Sequence, residues 1–200
     1  RDRKISIRGF SLLVFLEYIG QDVTCRYQAC CYYCSLSTIQ RCRMKVLSAM
    51  TEIYNMLVNF NVPDYEYNNL MKQDKFKHFE NCRGAIDGCH IAIKVKSDLK
   101  GSFRNRKQII STNCMVVANF SLIIMYAVVG MDGSAHDSSV LNFAYNNGFN
   151  IPHGWVLLGD AGYALEYEKI LTPYRKTRYH LKEWANSNLR PANKEELFNL

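Results

Sequence analysis

The run Gly84-Ala85-Ile86-Asp87-Gly88-Cys89-His90-Ile91 is built from small and β-branched residues, and one carboxylate interrupts it. With Ile93 and Val95 beyond it, the run has the composition of a buried strand, and a strand is predicted over residues 85–95. A second carboxylate ends the apolar run Trp155-Val156-Leu157-Leu158-Gly159-Asp160-Ala161-Gly162-Tyr163. A bare carboxylate is costly to bury, and a divalent cation is the strongest compensator. Gly88, Gly159 and Gly162 leave room for a phosphate or an ion to approach the backbone, and hard oxygen ligands select Mg²⁺ or Mn²⁺. Turn chemistry competes with this reading. Asp87-Gly88 is the commonest hairpin dipeptide and Asp160-Ala161-Gly162 fits an Asx turn, and from spacing alone turns lead.

Outward from the first run, residues 109–120 and 122–130 predict two more strands, rich in Ile, Val and Ala. The stretch from Met115 to Met131 is broken by Asn119 and Ser121, so it reads as two strands and a turn, and no membrane segment is predicted. Residues 136–147 predict a helix with Asp137 or Ser138 near its N-cap and Gly148 at its end. A short strand over 155–158 follows, and the order β-β-β-α-β defines a mixed α/β layer. Asp132-Gly133 reads as a turn.

Upstream, residues 1–60 carry no proline and repeat their apolar residues at helical spacing. A first helix is predicted from Phe10 to a C-terminal Gly20, and a second after Thr24. Ser37-Thr38-Ile39-Gln40 has the form of a capping box opening a third helix. Along that helix Ile39, Cys42, Val46, Ala49 and Ile53 form one apolar stripe, while Gln40, Arg41, Lys45 and Ser48 fall on the other side. Residues 61–82, around Pro63, form a connector with one short helix near 72–79. The expected organisation is a helical module at 1–60, this connector, and an α/β domain at 83–200.

With 48% hydrophobic and 22% charged residues, the 200-residue chain has a globular composition, which excludes collagen, low-complexity disorder and a disulfide-stapled miniprotein. Its formal net charge of +7 favours a polyanionic partner, with nucleic acid leading. Eight cysteines without a secretory leader point to thiols in a reducing compartment. Cys31-Tyr32-Tyr33-Cys34 has CxxC spacing, but no second knuckle or histidine accompanies it, so these thiols read as small hydrophobes. Both ends of the chain, Arg1 and Leu200, read as cut.

Six segments in order carry a family resemblance: Gly84 to Ile91, Asn105-Arg106-Lys107, Ser111-Thr112-Asn113, Gly133-Ser134-Ala135-His136-Asp137-Ser138, Gly159-Asp160-Ala161-Gly162-Tyr163, and Lys194-Glu195-Glu196-Leu197-Phe198-Asn199. Together they resemble the DDE transposases of the PIF/Harbinger group, including the Harbinger transposase-derived nucleases. The first sixty residues resemble the family's helix-turn-helix more loosely, at Ser35 to Thr38. The resemblance implies a ribonuclease H-like fold in which three acids bind two divalent cations, Mg²⁺ or Mn²⁺, to cut and join DNA. Asp87 is similar in position to the first acid and Asp160 to the second. The family's third acid is a glutamate after the Phe-Asn segment and an Arg-His pair, and the chain is expected to lack it. Glu195 and Glu196 precede Phe198-Asn199 and read as a solvated helix start.

Lys94, Lys96, Lys100, Arg104, Arg106 and Lys107 face only Asp98 in the segment after the first strand. A solvated loop and a DNA phosphate surface explain them equally well. Arg41 and Lys45 on the third helix are further candidates, and Arg175, Lys176 and Arg178 form a weaker cluster. His90 cannot readily share an ion with Asp87, because residues three apart on a strand face opposite ways, so a packing or positioning role is expected. His136-Asp137 reads as a helix cap. The resemblance further implies DNA as partner, a separate DNA-binding partner protein or an oligomer as options, and residence in the nucleus with the cytoplasm as a second compartment. Two competing readings are a transposase-derived DNA- or partner-binding protein that has lost the reaction, and a basic α/β protein whose Asp-Gly pairs are turns.

Overall fold

The structure, a computed structural model, describes residues 6–163, 169–174, 177 and 191–199. It divides into two compact units, Arg1–Leu57 and Val58–Leu200. The first holds three helices, α1 (Ile7–Gln21), α2 (Cys25–Cys31) and α3 (Leu36–Leu57). Ser6 caps α1 by accepting from Gly9 N at 3.1 Å, and Thr24 caps α2 by accepting from Tyr27 N at 3.2 Å. The expected end of α1 at Gly20 is corrected. The helix runs on to Gln21, and Asp22 takes the left-handed position (φ 50°), which a short polar side chain tolerates. The expected capping box at Ser37 also moves, because Ser35 Oγ accepts from Thr38 N at 3.2 Å and α3 starts at Leu36.

Val14, Ile39 and Cys42 form the small core of this unit, with Phe10 and Tyr32 meeting edge to face at 5.3 Å. Gln28 is fully buried and fully used. Its Nε2 donates to Val14 O at 2.8 Å and Glu17 Oε2 at 2.7 Å, and its Oε1 accepts from Arg43 Nη2 at 2.6 Å. Arg41 and Lys45 are exposed and Ile39 and Cys42 buried, as the helical period requires, but Val46 is half-buried and Ala49 and Ile53 are exposed. At 22 residues α3 outruns the 15-residue α1, so the far end of its stripe has no helix of this unit to cover it.

In the second unit, α4 (Tyr67–Met71) and a 3₁₀ turn (Asp74–Phe79) replace the single short helix expected near 72–79. Then follow β1 (Cys82–Ala92), β2 (Ser111–Ala118), β3 (Ile124–Asp132), α5 (Asp137–Asn146), β4 (Val156–Leu158), β5 (Ile170–Leu171) and α6 (Lys194–Phe198). They build a five-stranded sheet of order β3-β2-β1-β4-β5. The first three strands pair antiparallel, whereas β1 with β4 and β4 with β5 pair parallel. This mixed sheet with its helices is the ribonuclease H-like α/β fold. Ile86, Met115, Val117 and Met125 from the strands pack with Val140, Leu141 and Ala144 of α5 into the core. At the chain's far end, Asn193 Oδ1 accepts from Glu196 N at 2.8 Å and Glu196 Oε2 from Ala192 N at 2.7 Å, so Glu196 serves the start of α6. Among the described residues no helix is long and apolar enough to cross a membrane.

The connector is tied to the sheet by side chains. Asp64 Oδ1 accepts from Ser121 Oγ at 2.9 Å and its Oδ2 from Phe120 N at 3.2 Å, while Asn119 Nδ2 donates to Pro63 O at 3.0 Å. Asn119 Oδ1 also accepts from Ile123 N at 2.9 Å, closing the β2–β3 turn. At the start of β1, Gly84 lies so near the neighbouring strand that a Cβ there would be 2.2 Å from Ala118 O. Gly84→Ala must therefore push β1 and β2 apart. A loss of about 1–3 kcal/mol in urea unfolding is expected, against an unchanged midpoint for a substitution at open Gly101.

Candidate metal centre

Asp87 lies in the middle of β1, paired with Val116 of β2, and Gly88 pairs with Met115. A hairpin turn at Asp87-Gly88 is thereby excluded. Ala85 of β1 stands opposite Leu158 of β4 in the parallel ladder. Asp87 and Asp160 each follow this pair by two residues, and parallel strands run the same way, so both acids come to the same level of the sheet, where β1 runs past the C-terminal end of β4. Both are exposed. Asp87 Oδ1 accepts from Gly88 N at 2.8 Å, and Asp160 Oδ1 accepts from Gly162 N at 2.8 Å. The Asx turn expected at Asp160 thus exists and is the device that orients this carboxylate.

A third acid stands beside them. His136, and neither Asp137 nor Ser138, is the N-cap of α5, and it makes no side-chain cap bond. Asp137 is the first helical residue, freed from capping, at a helix end that favours negative charge. A Cβ on Gly88 would lie 2.5 Å from Asp137 Oδ1. A Cβ on Gly162 would lie 2.9 Å from Asp160 Oδ1 and 3.1 Å from Asp137 Oδ2, so these two oxygens stand at most about 6 Å apart, within range of strong mutual influence. The two glycines are small because carboxylates occupy the space a side chain would take. The sequence contained Asp137 in a family-like segment, but Asp followed by Ser is also an ordinary helix start, and nothing in the pattern separates the two.

Two buried side chains keep unpartnered oxygens here. Among the described residues, Tyr163, 1% exposed, has no hydrogen-bond partner for its hydroxyl, and Asn113, 1% exposed, has none for Oδ1. Burial pushes the Tyr163 hydroxyl above its ordinary pKa, and the carboxylates of Asp137, Asp87 and Asp160 push it the same way. Asn113 Nδ2 donates to Ala135 O at 3.0 Å and lies 3.5 Å from Asp137 Oδ1. The cluster is thus made of hard oxygens, the donor set that suits Mg²⁺ or Mn²⁺. Among the described residues no three His, Cys, Asp or Glu side chains are arranged to hold an ion unaided. That still fits Mg²⁺, which keeps several waters and commonly takes one or two carboxylates together with substrate phosphates.

Lys94, Lys96, Lys100, Arg104, Arg106 and Lys107 are all exposed. Arg106 and Lys107 line a cavity of about 540 Å³ that also takes in Gly88, His90, Asn105 and Asp137. His90 shares the Gly88 side of β1, and its Nδ1 meets Ser111 Oγ at 3.1 Å, a packing contact away from Asp87. In the helical unit Arg41 and Lys45 border a separate cavity with Phe10 and Thr38. The cluster of Arg175, Lys176 and Arg178 lies outside the described residues.

Residues 86–199, more than half of the chain, match a protein-family model described as DDE superfamily endonuclease. The rat and mouse proteins named "Putative nuclease HARBI1" are each 29% identical to the chain, over 161 and 163 residues respectively. Each alignment covers 73% of this chain and 45% of the relative. The chain therefore spans about half the length of the curated relatives it matches. No solved structure matches it.

Tyr163→Phe tests the packing of the cluster. At neutral pH it should leave stability unchanged or raise it by up to about 1 kcal/mol, since a hydroxyl without a partner is removed. The unfolded chain releases this proton near pH 10.0 while the fold retains it to higher pH. Stability is therefore intact below pH 10.0 and declines as pH rises from there toward the folded pKa, with a slope that the phenylalanine variant reduces by one proton. Urea unfolding between pH 8 and about pH 11 measures both effects.

Proposed function

Because the chain belongs to the DDE superfamily endonucleases, we propose that Asp87 and Asp160 hold a divalent cation, Mg²⁺ or Mn²⁺, against a DNA phosphodiester, and that this site cleaves it. The reading is carried by the placement of Asp87, Asp137 and Asp160 near the Tyr163 hydroxyl, which has no partner among the described residues, where β1 runs past the C-terminal end of β4. The chemistry a bound cation supplies is polarisation of the phosphoryl oxygen and neutralisation of the charge that develops on it. The chain's own residues do the rest. Gly162 N and Gly88 N orient the two carboxylates. Asp137 adds negative charge to the centre, supported by the N-terminus of α5. Tyr163 remains protonated at working pH and keeps a neutral hydroxyl among the acids.

Arg41 and Lys45 of the helical unit, with Lys94, Lys96, Arg104, Arg106 and Lys107 of the second, are the cations that meet DNA phosphates in this reading. A nuclear location follows from that substrate. One observation favours a second reading, a transposase-derived DNA-binding protein without the reaction: among the described residues no three ligating side chains hold an ion by themselves.

The two readings part on cation binding and nicking. Mn²⁺ titration followed by electron paramagnetic resonance should show a saturable site, weakened at least tenfold in Asp87→Asn and in Asp160→Asn. Mn²⁺-dependent nicking of supercoiled DNA should be lost in the same variants, by on the order of 10²–10³ in rate or more. Mn²⁺ binding that neither variant alters would overturn the assignment, and binding without nicking selects the second reading. Arg41→Ala and Lys45→Ala should each lower DNA affinity and reduce its log–log salt slope by about one, read by fluorescence anisotropy.

A further inference from the structure

The cavity of about 540 Å³ beside the acid cluster has a cationic wall held in place by buried contacts. Asn105, 7% exposed, organises the segment that carries it. Its Oδ1 accepts from Lys107 N at 2.9 Å and Ile109 N at 3.0 Å, and its Nδ2 donates to Ser111 Oγ at 3.1 Å. The following turn clamps the same segment, for Ser134 N donates to Ser102 O at 3.0 Å and Ser111 N to Phe103 O at 2.8 Å. Gly133 is required there, because a Cβ would lie 2.2 Å from Ser111 O and 2.4 Å from Phe103 O. A loop with a free backbone would carry its cations at large. Here the backbone on both sides of Arg106 is fixed.

The Arg106 side chain is tethered as well, through one exposed contact. Its Nη2 lies 2.7 Å from His136 Nδ1. A guanidinium can only donate, so Nδ1 is the acceptor in this contact. Held by a ring nitrogen and not by a carboxylate, Arg106 keeps its remaining donors for a ligand. The next residue after His136 is Asp137 of the acid cluster, so the partner of Arg106 adjoins one of the acids in the chain, and Arg106 and Asp137 line the same cavity. A cluster of carboxylates alone repels a polyanion, and a preset guanidinium beside it offsets that repulsion for a strand laid across both.

We propose that this cavity seats the DNA backbone phosphate adjacent to the one at the acid cluster, with Arg106 and Lys107 as its ligands and His136 as the positioning residue for Arg106. The proposal rests on the nuclease reading above for the identity of the neighbouring phosphate. The binding itself is tested without metal or reaction.

Thymidine 3′,5′-bisphosphate, titrated into the chain in EDTA and followed by the ring signals of His136 and His90 in NMR, should bind saturably. Arg106→Ala should weaken it about 10–100-fold, the loss of a charge-assisted hydrogen-bond donor pair, with Arg106→Lys recovering only part. His136→Ala should weaken it several-fold, and His136→Asn, whose amide oxygen can accept from the guanidinium, should restore it with the thermal unfolding midpoint equal in both. On duplex DNA, Arg106→Ala should reduce the salt slope by about one. Absent binding, or equal affinity in Arg106→Ala, overturns the proposal. Asp87→Asn should leave bisphosphate affinity in EDTA unchanged or tighter, and a matching loss there would place the ligand at the acid cluster instead. Failure of nicking with bisphosphate binding intact counts against the nuclease reading alone.

Discussion

The parallel pairing of β1 with β4 is the constraint on which the rest of the second unit depends. Antiparallel neighbours would carry two acids that follow equivalent register positions to opposite ends of the sheet. Parallel neighbours bring them together, and a parallel return needs a crossover, which α5 supplies. The crossover also delivers Asp137 to the same edge, since the turn that starts α5 must pass over β2 at Asn113 before the helix covers the core. One topological requirement thus brings Asp87 and Asp160, more than seventy positions apart, to neighbouring strands, with Asp137 close to Gly88 and Gly162.

Concentrating like charges costs free energy, and the arrangement around them lowers that cost in separate ways. Backbone amides of Gly88 and Gly162 donate to two of the acids. The end of α5 faces the third. The basic residues Arg106 and Lys107, which line the same cavity as Asp137, add opposite charge beside it. In the proposed reading, a cation or a bridging phosphate would offset the repulsion these contacts leave uncompensated. Tyr163 shows the same tension from within, because its hydroxyl is buried beside three carboxylates and bonded to none of the described groups.

Much of the sheet was legible because its signals are local. Isoleucine and valine runs marked β1, β2 and β3, and the 3.6 period of α3 placed Arg41 and Lys45 outside and Ile39 and Cys42 inside. The two acids stood out because each interrupts apolar sequence. What escaped detection depends on partners distant along the chain. β5 has two residues, too few for any period to register. Asp87-Gly88 has turn composition yet lies mid-strand, because pairing with Val116 and Met115 overrides a dipeptide preference. The cap of α3 shifted from Ser37 to Ser35, a choice among serines that only the course of the preceding backbone decides. Asp137 was visible as a residue but not as a member of the cluster, since its role depends on Gly88 and Gly162 leaving it space. The positions of Arg175, Lys176 and Arg178 fall outside the described residues.

The tie between the connector and the β2–β3 turn has a bearing on how the molecule can be altered. A hairpin tip at a sheet edge is ordinarily the place that accepts inserted peptides, because little depends on its residues. Here Asn119, Phe120 and Ser121 are bonded to Pro63 and Asp64, some 56 positions earlier. The tip doubles as the anchor of an incoming segment. An epitope or fluorophore loop placed at this hairpin would release the connector as well as lengthen the turn.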